Sequence, residues 1–241
     1  MSRTIMIASS KGGTGKSMAA VNIAASLAYS GSKTVLVDMS HGLRSLDFYL
    51  GLESRTIWDI CDVINGICDM ENVLLRVDAI NNLYLMPATQ KRRYPEITAE
   101  SLAKVIDELK EEFDYIFLDC PAGAGELVEM ALECTDEALL VVTPDYISLR
   151  DADVIEDMVL RSGIFKRFYV VNSISTELNA KDAELHLDEI DRRMKSTLIG
   201  LIPYDNNIRA SLFAGVPIVM KRDSYIAENF DKIALRLKSE K

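Results

Sequence analysis

The sequence lacks the means to cross a membrane: its 241 residues contain no run of about 18 apolar ones. Its opening, MSRTIMIASS, has neither the apolar h-region nor the small-residue cleavage site of a secretory leader. A cytoplasmic protein is therefore expected. Cysteine is scarce, with only Cys61, Cys68, Cys120 and Cys134 and no CxC or CxxC spacing among them. In a reducing compartment this argues against a disulfide framework or a local metal clamp, and the four read as small buried hydrophobes. Positive charge is in deficit. A net charge of −10 and a pI near 4.8 disfavour broad nucleic-acid binding, which rests on neutralising phosphates with Lys and Arg. Repeats, low-complexity tracts and linkers are absent too, so one domain over residues 1–241 is expected.

What is present is alternation. Short apolar runs (TIMIASS, TVLVD, NLYLMPA, DYIFLDC, EALLVVT, FYVVNS and STLIGLIPY) read as strands, several apolar enough to be covered on both faces. Between them lie stretches of helical period. SMAAVNIAASLAYSG ends at Gly31, a natural helix stop, and TAESLAKVIDELKEEF starts at Thr98 with Leu102, Val105, Ile106 and Leu109 at helical spacing. Strands alternating with helices predict an α/β fold with a mostly parallel sheet flanked by helices on both faces. The segment SLDFYLGLESRTIWDICDVINGICDMENVLLRV, with Trp58, is read as a helix-rich insertion whose apolar residues are core.

Residues 9–17, SSKGGTGKS, fall between the first strand and the first helix. Gly12, Gly13 and Gly15 let successive N–H groups turn inward on a phosphate, and the helix N-terminus adds partial positive charge. Lys16 supplies a full charge at the β- and γ-phosphates, and the Ser17 hydroxyl suits Mg²⁺. Against the strict G-x-x-x-x-G-K-[ST] pattern the one mismatch is Ser10, at the first glycine position. ATP with Mg²⁺ is the predicted ligand, held by the stretch from Lys11 to Met18 that includes Thr14. Asp119, ending DYIFLD, is placed to hold the metal directly or through water. Asp38, ending TVLVD, is placed near the metal's water shell or the attacking water.

With Lys11 added, KGGTGKS resembles the deviant Walker motif of the MinD/ParA family of P-loop ATPases. The resemblance runs from about residue 2 to about residue 238, through DMSHGLRSLDFYLG, DCPAG, TPDYISLRDADVI and IPYDNNIRASLFAGVPIV in the family's order. GLRSLD and SLRDADVI look more like MinD than like the plasmid-partitioning branch. The resemblance implies that Lys11 crosses a homodimer interface to the partner's phosphates, so that dimerisation follows the triphosphate state. It also places Asn172 and the Pro203–Asp205 segment at the adenine base, and Asp151 at the dimer and partner surface. It implies a protein partner, and recruitment to a membrane or pole through that partner. The bland readings are a solvated acidic helix start for Arg150, Asp151, Asp153, Glu156 and Asp157, and a strand end and a turn for VVNS and IPYDNN. An iron–sulfur relative using Cys120 or Cys134 would need a paired cysteine spacing that the chain lacks.

Two departures from the family pattern qualify this. The family's D-x-D-x-G reads Asp38-Met39-Ser40-His41-Gly42 here, so Ser40 stands where a carboxylate tied to hydrolysis is usual. A serine hydroxyl hydrogen-bonds a water but is a poor proton acceptor at neutral pH. ATP binding is thus expected with slow turnover, and an ATP-dependent scaffold without turnover is the alternative. His41 reads as a surface loop residue. The second departure is SYIAENFDKIALRLKSEK, in which Ile226, Phe230, Ile233, Ala234 and Leu237 form one stripe. It is read as a helix packed on the sheet, despite the basic Arg236, Lys238 and Lys241, with no separate membrane anchor after it.

Overall fold

The computed structural model describes residues 2–40, 42, 44–90, 97–175 and 187–239; His41 and Lys241 lie outside them. The strands are β1 (Arg3–Ala8), β2 (Thr34–Asp38), β3 (Leu75–Arg76), β4 (Leu83–Met86), β5 (Tyr115–Asp119), β6 (Glu137–Val142), β7 (Arg167–Ile174) and β8 (Thr197–Pro203). The helices are α1 (Lys16–Tyr29), α2 (Leu46–Tyr49), α3 (Ile60–Ile64), α4 (Met70–Val73), α5 (Ala99–Glu112), α6 (Glu126–Glu133), α7 (Tyr146–Arg161), α8 (Leu187–Arg193), α9 (Asn206–Phe213) and α10 (Tyr225–Ser239). Among the described residues the strands form one sheet in the order β3-β4-β2-β5-β1-β6-β7-β8. Neighbours are parallel except β3, which pairs antiparallel with β4 through Leu75↔Leu85 and Arg76↔Tyr84. The seven predicted strands are all present. β3 was not predicted, because two residues carry no periodic signal.

Alternation along each strand divides the apolar interior into two cores. Ile5 and Ile7 face a core shared with α1, α9 and α10, whereas Met6 and Ala8 face one shared with α3, α5, α6 and α7. Helix α1 is buried on nearly every side, which its almost uninterrupted apolar composition requires. Gly31 (φ 96°) takes the left-handed position after it, and its N–H donates to the Ala28 carbonyl at 3.0 Å. Thr98 caps α5 reciprocally with Ser101, and Leu102, Val105, Ile106 and Leu109 are buried as the spacing predicts. The stripe on α10 is buried as well.

Two expectations need correction. Within the insertion, Trp58 is only partly buried, and Ile57 and Ile67 are exposed. Short α2, α3 and α4 cannot turn every apolar residue inward. Glu156 does not belong to a solvated acidic face: it is buried and accepts from the Lys195 N–H (3.0 and 3.1 Å) and from the Ser196 hydroxyl, tying α7 to the start of β8.

Helix α10 approaches β8 closely at Gly200, where an added Cβ would lie 2.3 Å from Ile233 Cγ1. Ile233 is β-branched and stiff, so it yields poorly. Gly200→Ala is therefore expected to destabilise the fold by about 1–3 kcal/mol. A double-mutant cycle with Ile233→Ala in urea unfolding should return a strong favourable coupling between the two substitutions.

Candidate functional site

The loop between β1 and α1 lies at the carboxyl edge of the sheet, where successive neighbours of β1, β5 and β6, fall on its opposite sides; ligands of open parallel sheets bind at such a switch point. Gly13 (φ 81°) and Gly15 (φ 85°) are left-handed, conformations that a side chain would strain. Gly15 has a second constraint, because a Cβ there would lie 2.2 Å from Asn172 Nδ2. That nitrogen donates to the Thr14 carbonyl at 2.7 Å, so Asn172 on β7 braces the back of the loop.

The loop opens into a cleft of about 490 Å³ lined by Lys11 to Met18, with Ser40, Tyr49, Asn172, Pro203, Tyr204, Asp205 and Arg209 among the remaining walls. The structure thus brings together the loop, Ser40, Asn172 and the Pro203–Asp205 segment. Asp205 also caps α9 through the Asn207 N–H (2.7 Å) and accepts from the Tyr225 hydroxyl. Pro203–Asp205 is therefore a strand end followed by a helix start. Asp38 and Asp119 are fully buried and lie behind the lining, not on it.

These two acids are side by side, paired in register on β2 and β5. Lys16 Nζ sits 2.6 Å from Asp119 Oδ1, and the other oxygen, Oδ2, is buried without a hydrogen-bond partner. Asp38 is spent on its own loop: Oδ1 accepts from the Ser40 N–H (2.8 Å), and Oδ2 from those of Ser45 (3.3 Å) and Leu46 (3.4 Å). Burial, and then the like charge of Asp119, push the Asp38 carboxyl up to about 6 against those three donors. An orphaned carboxylate oxygen, a serine hydroxyl at Ser17 and a glycine-lined cradle fit a hard cation bound with phosphates. Cys120, next to Asp119, is fully buried, and burial pushes its thiol up to about 12; it is held as a thiol and not as the thiolate that a cluster needs.

Lys11 lies on the cleft rim and reaches within its own chain to Asp145, with Nζ 3.0 and 2.9 Å from the two carboxylate oxygens. Sequence reasoning missed Asp145. Its signal was present, an acid directly before a helical run in TPDYISL, but that pattern marks any N-cap. Tyr49 and Arg209 were missed for want of a motif, whereas Tyr204 falls inside the expected Pro203–Asp205 segment. Asp151 is away from the cleft lining and pairs with Arg150 at 2.8 Å.

Residues 2–161 match the family described as an AAA domain. Over all of its length the chain is 36% identical to the septum site-determining protein MinD of Synechocystis, covering 91% of that protein. The solved structure of the MinC:MinD cell division complex of Aquifex aeolicus superposes with a TM-score of 0.91 at 33% identity, over 100% of this chain and 97% of that one. The MinD of Pyrococcus horikoshii, solved with Mg-ADP, matches with a TM-score of 0.87 at 27% identity, over 99% and 97% of the two chains.

The acid pair makes a pH prediction. Asp38 has an ordinary value of 3.8 and titrates near 6 in the folded chain, so the folded state holds its proton more tightly. Its contribution therefore favours folding below 3.8 and is lost as pH rises through about 6. The side-chain carboxyl ¹³C resonance of Asp38 in nucleotide-free protein is expected to titrate with a midpoint near 6. In Asp119→Asn the midpoint should fall, since the neighbouring charge is gone.

Proposed function

The chain belongs to the MinD/ParA family of P-loop ATPases, and from that membership we propose that it is a nucleotide-gated switch for placing cell-division machinery. In this reading two copies close face to face on Mg·ATP and open again after hydrolysis. The observation that carries it is the cleft itself, in which Lys16 lies at the floor of a glycine cradle while Lys11 stands on the rim. In this reading one lysine serves the phosphates of its own chain and the other those of a second copy. A MinC-type protein is the first partner to test, by analogy with the Aquifex complex.

Ser17 and Asp119 would hold Mg²⁺, which when bound supplies charge neutralisation at the β- and γ-phosphates. Lys16, released from Asp119, would add its own positive charge at the phosphates. Backbone N–H groups of Gly12 to Gly15 orient the phosphate chain. The brace from Asn172 keeps those N–H groups aimed before ligand arrives, and the Pro203–Asp205 wall closes the base end. Ser40 lines the cleft with its N–H tied to Asp38, which leaves the hydroxyl to position a water without adding a negative charge. Turnover is therefore slow. A scaffold with no turnover is not favoured, given full-length similarity to MinD proteins.

Sedimentation with Mg and a non-hydrolysable ATP analogue should show a dimer for wild type and a monomer for Lys11→Ala. A wild type that stays monomeric under these conditions sinks the switch reading. Ser40→Asp should release phosphate about a hundredfold faster than wild type, since a positioned carboxylate base contributes about 10²–10⁴-fold. Equal rates would show that Ser40 does not limit the reaction.

A further inference from the structure

Lys11 is held in its own chain by an acceptor built to stay where it is. The Asp145 carboxylate caps α7: Oδ1 accepts from the Ser148 N–H at 2.9 Å and Oδ2 from the Thr143 hydroxyl at 2.6 Å. The Ser148 hydroxyl accepts in turn from the Thr143 N–H at 3.0 Å, and the Ser148 carbonyl accepts from the Ser10 hydroxyl at 3.3 Å. None of these bonds involves Lys11, so the carboxylate keeps its orientation whether or not the lysine is present. Against this fixed acceptor Nζ lies within 3.0 Å of both oxygens.

The pair is also easy to break. The Lys11 and Asp145 side chains are 37% and 43% exposed, which places the contact among solvent-screened ion pairs, whereas Lys16 and Asp119 are 9% and 0% exposed. Extending the Lys11 ammonium to a phosphate on another chain would draw it off this two-oxygen contact with Asp145.

We propose that Asp145 is the positioning residue for Lys11: it stores the lysine in the monomer and competes with the partner's nucleotide for it, and so sets the nucleotide threshold for dimerisation. This rests on the reading that Lys11 acts across the dimer. In a two-fold dimer two such pairs must break, so the effect on the dimer dissociation constant is the square of the single-pair effect. An exposed pair is worth about 1.4- to fivefold; removing it should tighten the dimer by about two- to 25-fold.

Asp145→Asn and Asp145→Ser both remove the charge and keep an N-cap side chain, so α7 is expected to form in each. Two variants, checked by thermal melting, guard against failure of one to fold. Sedimentation velocity with Mg and a non-hydrolysable ATP analogue should give a tighter dimer for both. The gain should shrink as salt rises, because the lost pair is screened, and it should vanish when Lys11→Ala is added. A dimer unchanged or weakened in both Asp145 variants overturns the proposal. If Lys11→Ala itself dimerises as wild type does, the reading of Lys11 fails instead, and the two failures are told apart.

Discussion

The contact between Lys16 and Asp119 is the constraint on which the rest depends. It joins the first residue of α1 to the last residue of β5, the strand adjacent to β1, and it lies almost wholly out of solvent. A buried ion pair gains little over apolar packing, but removing one partner leaves a bare charge inside and typically costs about 3–5 kcal/mol. The glycine loop, the start of α1 and the acid strand are therefore held as one unit. Phosphate can draw Lys16 away only by replacing the charge it leaves, and a cation at Asp119 restores the balance. Ligand and metal are expected to enter together for that electrostatic reason.

Asp38 adds a second carboxylate to the same buried row, and its cost is visible in the upward shift of its titration. The chain offsets part of that cost with three backbone N–H groups, those of Ser40, Ser45 and Leu46. Ser40 is thus tied through its N–H to a carboxylate whose titration is raised by the neighbouring charge of Asp119. The two loop lysines differ in the same terms. Lys16 is locked by burial, whereas Lys11 is held by an exposed contact of small strength, so the lysine assigned to a second copy is the one that is easily released.

Much of this was legible in the linear chain. The strand runs TIMIA, TVLVD and YIFLD, the stop at Gly31 and the cap at Thr98 are local features with periods or end signals of their own, and each lies where it was expected. The loop was legible because glycines, lysine and serine at fixed spacing serve one ligand chemistry. β3 was not, because its Leu75–Arg76 pair forms an edge only through pairing with β4. Glu156 looked like one more charge on an acidic helix. Its burial comes from Lys195 and Ser196, about forty residues further on.

By itself the sequence determined the parallel α/β class, the phosphate loop, the acids at the ends of β2 and β5, and the serine in place of a carboxylate at residue 40. These follow from residue type and short-range spacing, which act over one turn or one strand. Only the tertiary structure decided what the charged groups do to one another. It set Asp38 beside Asp119 through strand pairing, turned Asn172 onto the back of the loop, and gave Lys11 a partner at Asp145, 134 positions away. Coulombic and hydrogen-bond energies depend on distance and burial in space, and neither quantity exists until the chain has folded.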